Sequence, residues 1–326
     1  MTDNPRVDIN LMCRWLGIPI DRYSVISEHE INTLPVLSLV AKCRGISLLV
    51  YASNPWDRDI RKKIQHVLDQ TDPDKVFVLS PDAGDFFRKQ SRWIYFPYFL
   101  IGQRWQANNQ TVFKSFRFSF LSGVARFHRL FLYQHAKAQW TDHDVVAVHL
   151  RDIEHASFVQ DLERYYDLDH RLTDDLPFET ESAKVSVINQ AWSSKSQNSV
   201  DYTNGHNAFA ACVNIVTESS LDDTLIFMTE KIWKPIRSHC LFTTLASPGT
   251  IHTLKNWGFE IPESIDPELK LDDKVRFIAH NIRSWDLGHC QDLLYQYRRE
   301  IDHNWQHFYS QNIIDLFRDY LIEHLP

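Results

Sequence analysis

With 326 residues, 44% of them hydrophobic and 24% charged, the chain outgrows a single hydrophobic core, and two domains of roughly 150 residues are expected. No run of about 20 apolar residues occurs, which excludes a spanning helix, and the opening MTDNPRVDIN lacks the basic-then-apolar plan of a signal peptide, so a cytoplasmic protein is expected. The net charge of −7 hides an asymmetry: segment 86–140 carries nine Lys or Arg and no Asp or Glu. That predicts an anionic partner beside it, or else arginines laid over an aromatic-rich surface.

In chain order, 23–27 is a short β-branched run and 34–43 a helical stretch that Gly45 is suited to cap. ISLLVY at 46–51 has the pattern of a buried strand. Asn54-Pro55 breaks it, and 57–70 then carries Ile60, Ile64, Val67 and Leu68 at helical spacing. KVFVL at 75–79 is the next strand, closed by the turn Ser80-Pro81-Asp82-Ala83-Gly84. Strand, helix and strand with short connections predict a parallel sheet with helices on its faces. The aromatic run 93–99 reads as a further strand, 112–121 (VFKSFRFSFL) as an alternating strand with one polar, basic face, and 125–137 as a helix. Beyond it come a strand at 145–150, a helix at 156–165, an Asp-rich connection at 167–180, a strand at 184–188 and a Ser/Asn-rich loop at 191–203. A buried strand at 212–217, a helix from Thr229, a strand at 241–245, the turn Ser247-Pro248-Gly249 and a helix at 250–257 closed by Gly258 follow. Apolar stripes at Leu293, Leu294, Tyr297, Ile301 and at Ile313, Ile314, Phe317, Leu321 make the end of the chain helical. The expected fold is α/β: two Rossmann-like domains facing across a cleft, with a helical C-terminus. The domains span 1–143 and 144–300, and a last helix over 301–326 packs back on the first domain.

The five cysteines are scattered and mostly within apolar runs, as reduced, buried thiols are. No CxxC or HxxxH pair with metal-site spacing is read in the chain, and no metal is expected. The nine glycines form neither GxGxxG nor GxxxxGK[ST], which disfavours dinucleotide and P-loop chemistry. The densest candidate for chemistry is VTESSLDDTLIFMTEKIWKPI at 216–236. There a buried strand runs into Glu218, and Thr229 caps a helix opened by Glu230 and Lys231. Ligands of open α/β sheets lie beyond the carboxyl ends of strands, and N–H groups at helix starts favour phosphate. A strand-end carboxylate suits sugar hydroxyls, and a lysine at the helix start suits phosphate charge. A surface turn with an ordinary capped helix fits the spacing equally well.

The blocks ESS…FMTEKIWKPI resemble the donor-binding motif of the α1,3-fucosyltransferase family, and still more a group of bacterial and phage-encoded glycosyltransferases with an E…TEK…KPI pattern followed by PG…L…GF. Here the tail is Pro248, Gly249, Leu254, Gly258 and Phe259. An aromatic strand leading to R-x-HR is matched by Phe118 to Leu121 and then Arg126, Phe127, His128 and Arg129. The resemblance covers 112–138 and 210–260, with an echo at IDHN (301–304). It implies a GT-B glycosyltransferase with an acceptor-side first domain, a second domain binding a nucleotide-sugar donor, and a glycan or other hydroxyl acceptor near 86–140. Glu218 and Glu230 would contact the donor nucleoside or sugar beside Thr229, and Lys231 the diphosphate. Arg126 and Arg129, flanking His128 on the opposite domain, would close over the phosphates or position the acceptor. The chain departs from the fucosyltransferases in its first 110 residues, which leaves the sugar unassigned.

No DxD stands at a strand end, since Asp222-Asp223 and Asp272-Asp273 are simple acidic pairs. A metal-independent transfer without a cofactor is therefore expected, the leaving group being stabilised by Lys231, helix dipoles and arginines; an inverting course is taken as the working expectation, with retention left open. It needs a general base, with Asp82, Asp85, Glu28 and Glu30 as candidates. His149 and His252 are lesser cleft candidates, and Trp93, Tyr95, Tyr98 and Trp105 are either sugar-stacking or core aromatics. Two other functions stay open: a phage-type DNA-base glycosyltransferase, drawn from the basic segment, and a non-catalytic sugar-binding or interaction module.

Overall fold

The computed structural model describes residues 9–51, 58–87, 92–104, 113–122, 127–148, 209–219, 221 and 225–326. The expected elements at 156–165, 184–188 and 191–203, together with Arg88, Lys89, Trp105, Arg126, His149 and Asp222-Asp223, lie outside them. The chain is α/β, with two parallel four-stranded sheets and a helical C-terminus. It forms two compact units, Met1–Gln106 with Thr224–Met228 and Tyr309–Pro326, and Ala107–Asp223 with Thr229–Phe308. Among the described residues no helix is long and apolar enough to cross a membrane.

In the first unit β1 (Ser24–Ile26), β2 (Ser47–Val50), β3 (Val76–Ser80) and β4 (Trp93–Tyr95) pair in that order. Around them lie α1 (Ile9–Trp15), α2 (Glu28–Thr33), α3 (Val36–Lys42), α4 (Arg58–Asp69) and α5 (Tyr98–Arg104). Ile26, Ile31, Leu39, Leu49, Ile64, Val67 and Val78 close the core between sheet and helices. The expected helix at 34–43 starts only at Val36, behind Pro35, and α2 precedes it. The expected strand at 93–99 stops at Tyr95, ahead of Pro97, which lacks the N–H a ladder needs.

The second unit holds β5 (Phe116–Ser122), α6 (Phe127–Ala136), β6 (Val145–Val148), β7 (Ala211–Thr217), α7 (Glu230–Arg237) and β8 (Leu241–Leu245). Four helices follow: α8 (Thr250–Asn256), α9 (Leu271–Ser284), α10 (Leu287–Gln296) and α11 (Arg298–Tyr309). The strand order is β6-β5-β7-β8, all parallel, with Phe118 opposite Val213 and Ser119 opposite Val145. β5 therefore belongs to the second sheet, and the boundary falls at Gln106/Ala107 rather than near 143. The chain winds from β5 outward to β6, then returns to the other side of β5 for β7 and β8. A reversal of this kind leaves a crevice at the carboxyl ends of the two central strands.

The basic face expected of β5 is packed inward. Arg117 is 6% exposed; it pairs with Asp144 at 2.5 Å and donates to the carbonyls of Ile282 and Trp285. A central parallel strand has no solvent face, so its polar residues must find partners inside. Other cations of 86–140 behave alike. Arg92 donates to the carbonyls of Val76 and Leu68, Arg104 to those of Tyr309 and Ser310, and Lys114 to those of Phe209 and Ser238. Lys137 is exposed. The charge asymmetry thus records internal carbonyl binding at five of the nine positions, Arg129 included, which weakens the case for an anionic partner along the segment.

Two later stretches complete the first unit. The N–H of Ala83 donates to the carbonyl of Ile226, and Asp82 bridges to Phe227. In α12 (Gln311–His324), Tyr320 stacks on Phe86 at 4.4 Å and donates to the carbonyl of Asp85, while Phe317 meets Tyr95 edge-on.

Candidate functional site

At the reversal, β7 ends in a residue that its all-buried strand would not otherwise carry. Glu218 is wholly buried, and its N–H donates to the carbonyl of Leu245 at the end of β8. Its Oε1 accepts the Thr229 N–H at 2.9 Å and its Oε2 the Thr229 hydroxyl at 2.6 Å. Thr229 is the N-cap of α7, so one residue starts the helix and satisfies the strand-end carboxylate. The Nζ of Lys231, a quarter exposed, donates to Thr229 Oγ1 at 3.0 Å and Ser219 Oγ at 3.2 Å, and stands 3.8 Å from Glu218 and 3.7 Å from Glu230. Ser219, the neighbour of Glu218, joins the site without having been singled out in the sequence.

Burial pushes the Glu218 carboxyl above its ordinary value, with Lys231 and the Thr229 hydrogen bonds opposing the rise and Glu230 adding to it. Burial pushes Lys234 down, against the pull of Glu230. The cluster is thus a buried carboxylate balanced by cations of one helix, with the ammonium of Lys231 towards solvent. The helix start offers less backbone to an anion than its sequence suggests, because the N–H of Thr229 is given to Glu218 and that of Lys231 to the Thr229 hydroxyl.

His128 and Arg129, on the first turn of α6, brace this carboxylate from behind. His128 Nε2 donates to the carbonyl of Glu218 at 2.8 Å, and Arg129 to the carbonyls of Thr217 and Glu218 at 3.0 and 3.2 Å. Arg129 is 2% exposed and belongs to the same unit as Glu218. It is a brace on the strand end, which replaces the expected clamp reaching over from an opposite domain.

The four carboxylates expected as bases have other surroundings. Asp82 and Asp85 are wholly buried. Asp82 Oδ1 accepts the N–H groups of Gly84 and Ile226, and the Asp85 N–H donates to the Asp82 carbonyl. Glu30 closes a capping box with Ser27 and pairs with Lys42 at 2.6 Å; the Lys42 ammonium first, then the Ser27 bonds, hold its carboxyl down at about 2. Glu28 stands half-buried on the first turn of α2. Trp93 packs edge-on to Tyr51, and Tyr95 and Tyr98 are buried, so these aromatics are core. His252 is exposed on α8.

Asn304 of the IDHN block accepts the N–H of Glu260 and donates to its carbonyl, fastening α11 to the loop after α8. His303 and His307 have the i, i+4 spacing of an HxxxH metal-binding pair, which corrects the expectation that no such pair is present. Their Nε2 atoms donate to the carbonyls of Gly258 and Trp257. Among the described residues no group of three or more His, Cys, Asp or Glu is gathered to hold a metal ion. Compared with family models, curated proteins and solved structures, the chain matches none.

Proposed function

We propose that the chain is a nucleotide-sugar glycosyltransferase of the GT-B type, working without a metal, and that its donor diphosphate is held at Lys231. One observation carries this reading: a partly exposed ammonium is fixed on the first turn of α7, beside a buried strand-end carboxylate, at the carboxyl edge where the sheet reverses order. The E…TEK resemblance supports it from the sequence side. As the bond between the anomeric carbon and the diphosphate breaks, charge gathers on the leaving oxygens, and a pre-positioned ammonium stabilises it without reorganisation. Glu218, bonded to Thr229, orients Lys231 and the helix start, and Glu230, 8% exposed and 3.7 Å from the Lys231 ammonium, is assigned the donor hydroxyls by the resemblance. His128 and Arg129 keep the Glu218 backbone in place. Of the four expected bases, Glu30, held at about 2, is a weak base, and Asp82 and Asp85 are enclosed. The internal engagement of Arg92, Arg104, Lys114, Arg117 and Arg129 disfavours the DNA-base reading, which needs a phosphate-tracking surface.

A thermal-shift panel of UDP-, GDP-, CMP- and dTDP-sugars tests the proposal. One donor class is expected to raise the apparent Tm, because binding to the native state stabilises it. Lys231→Ala is expected to weaken nucleoside diphosphate binding by about tenfold or more, the scale of one lost charge-assisted contact, and Glu230→Gln to weaken it less. Unchanged diphosphate affinity in Lys231→Ala removes the assigned role. A flat panel in the wild type points to the non-catalytic module.

A further inference from the structure

At the amino edge of the second sheet, Lys114 lies two residues ahead of β5. Its ammonium donates to the carbonyls of Phe209, just ahead of β7, at 2.5 Å and of Ser238, ahead of β8, at 2.7 Å. One side chain thus ties the starts of three parallel strands. The same Nζ stands 3.0 Å from the Sγ of Cys240. Cys240, itself 4% exposed, lines a small surface cleft together with Glu260, Glu300 and Asn304.

We propose that Lys114 and Cys240 form a modification site, in which a single oxygen atom joins nitrogen to sulfur as a reversible N–O–S bridge. A shared oxygen holds the two atoms slightly closer than their present contact, so the bridge forms without moving either strand. In the balanced step the ammonium first yields a proton to solvent. Amine, thiol and dioxygen then give the bridge and one water. One N–H and the S–H bond are lost, and N–O and S–O bonds form. Dioxygen takes up four electrons, leaving one oxygen in the bridge and the other in water. A dithiol reductant supplies the electrons that reopen it, in keeping with the reversible lower rungs of cysteine oxidation. The bridge would turn the three-strand tie into a covalent one, and it is independent of the transferase reading.

Peptide mapping of the intact chain, oxygenated and then digested, tests this. The expected product is a linked pair of peptides containing Lys114 and Cys240, heavier than their sum by one oxygen and lighter by two hydrogens. Trypsin should no longer cut after Lys114, and dithiothreitol should abolish the link. The oxygenated wild type should also show an upward, dithiothreitol-reversible shift in apparent Tm that is absent in Lys114→Met and Cys240→Ala. The wild-type map stands alone if those variants fail to fold. Oxygen adducts confined to Cys240 would overturn the proposal. So would a disulfide to the nearby Cys212, seen as two hydrogens lost with no oxygen gained.

Discussion

Glu218 and Glu30 show how place decides what a carboxyl contributes. Burial raises Glu218 above its ordinary value of 4.5, so the native state holds that proton more tightly than the unfolded chain does. Stability should therefore fall as pH rises from 4.5 through the raised value. Glu30 has the opposite sign: held at about 2, it contributes fully above 4.5 and loses its contribution as pH falls towards 2. The difference in unfolding free energy between wild type and Glu218→Gln, from urea titrations across pH, is expected to decline from pH 4.5 upward. A difference independent of pH would contradict the balance described. Much at this level was legible: an apolar run ending in Glu, then Thr-Glu-Lys, marked residues that the fold brings into contact. The cations of 86–140 were not, because a backbone carbonyl that accepts from Arg117 or Lys114 leaves no mark on the sequence.

Among the elements, α7 rests on Thr229, which caps the helix, donates to Glu218 and accepts from Lys231. Thr229→Val keeps the shape and removes all three functions. It should cost about 2–4 kcal/mol, combining a lost cap with a lost bond to a charged group, whereas Thr229→Ser should retain most of the stability. Urea unfolding reads both, and a Thr229→Val variant within about 0.5 kcal/mol of wild type would show the cap to be dispensable. Most strands and long helices were readable from periodicity. α2 was missed although Ser27-x-x-Glu30 is a capping-box signature, because six residues with Ile31 as the buried one are too short a period to register. α9 was not set out as an element, although Asp272-Asp273 read as solvated loop or helix residues. They are the first turn of a helix whose Val275, Ile278 and Ile282 face the core, where acidic residues suit the dipole.

For the molecule as a whole, two parallel sheets were legible and their membership was not. β5 follows the first sheet in the chain, yet its partners Val213 and Val145 lie far along it, and local pattern carries no record of such pairing. The first unit has the same long-range character: Phe86, Tyr95 and the Asp85 carbonyl are covered by Tyr320 and Phe317 of α12. A chain ending at 308 is expected to keep the second unit and to be cleaved preferentially within 9–104 in limited proteolysis. Equal resistance of the two units would show α12 to be dispensable.

The same covering helix has a consequence during synthesis. A ribosome delivers β1 to β4 long before α12, and the roughly 200 residues between take about 10–40 s at typical elongation rates. For that interval Phe86 and Tyr95 lack the cover that Tyr320 and Phe317 give them in the folded chain, the kind of transient apolar exposure that favours aggregation. Slow codons or crowding within the second unit's coding stretch would lengthen that exposure.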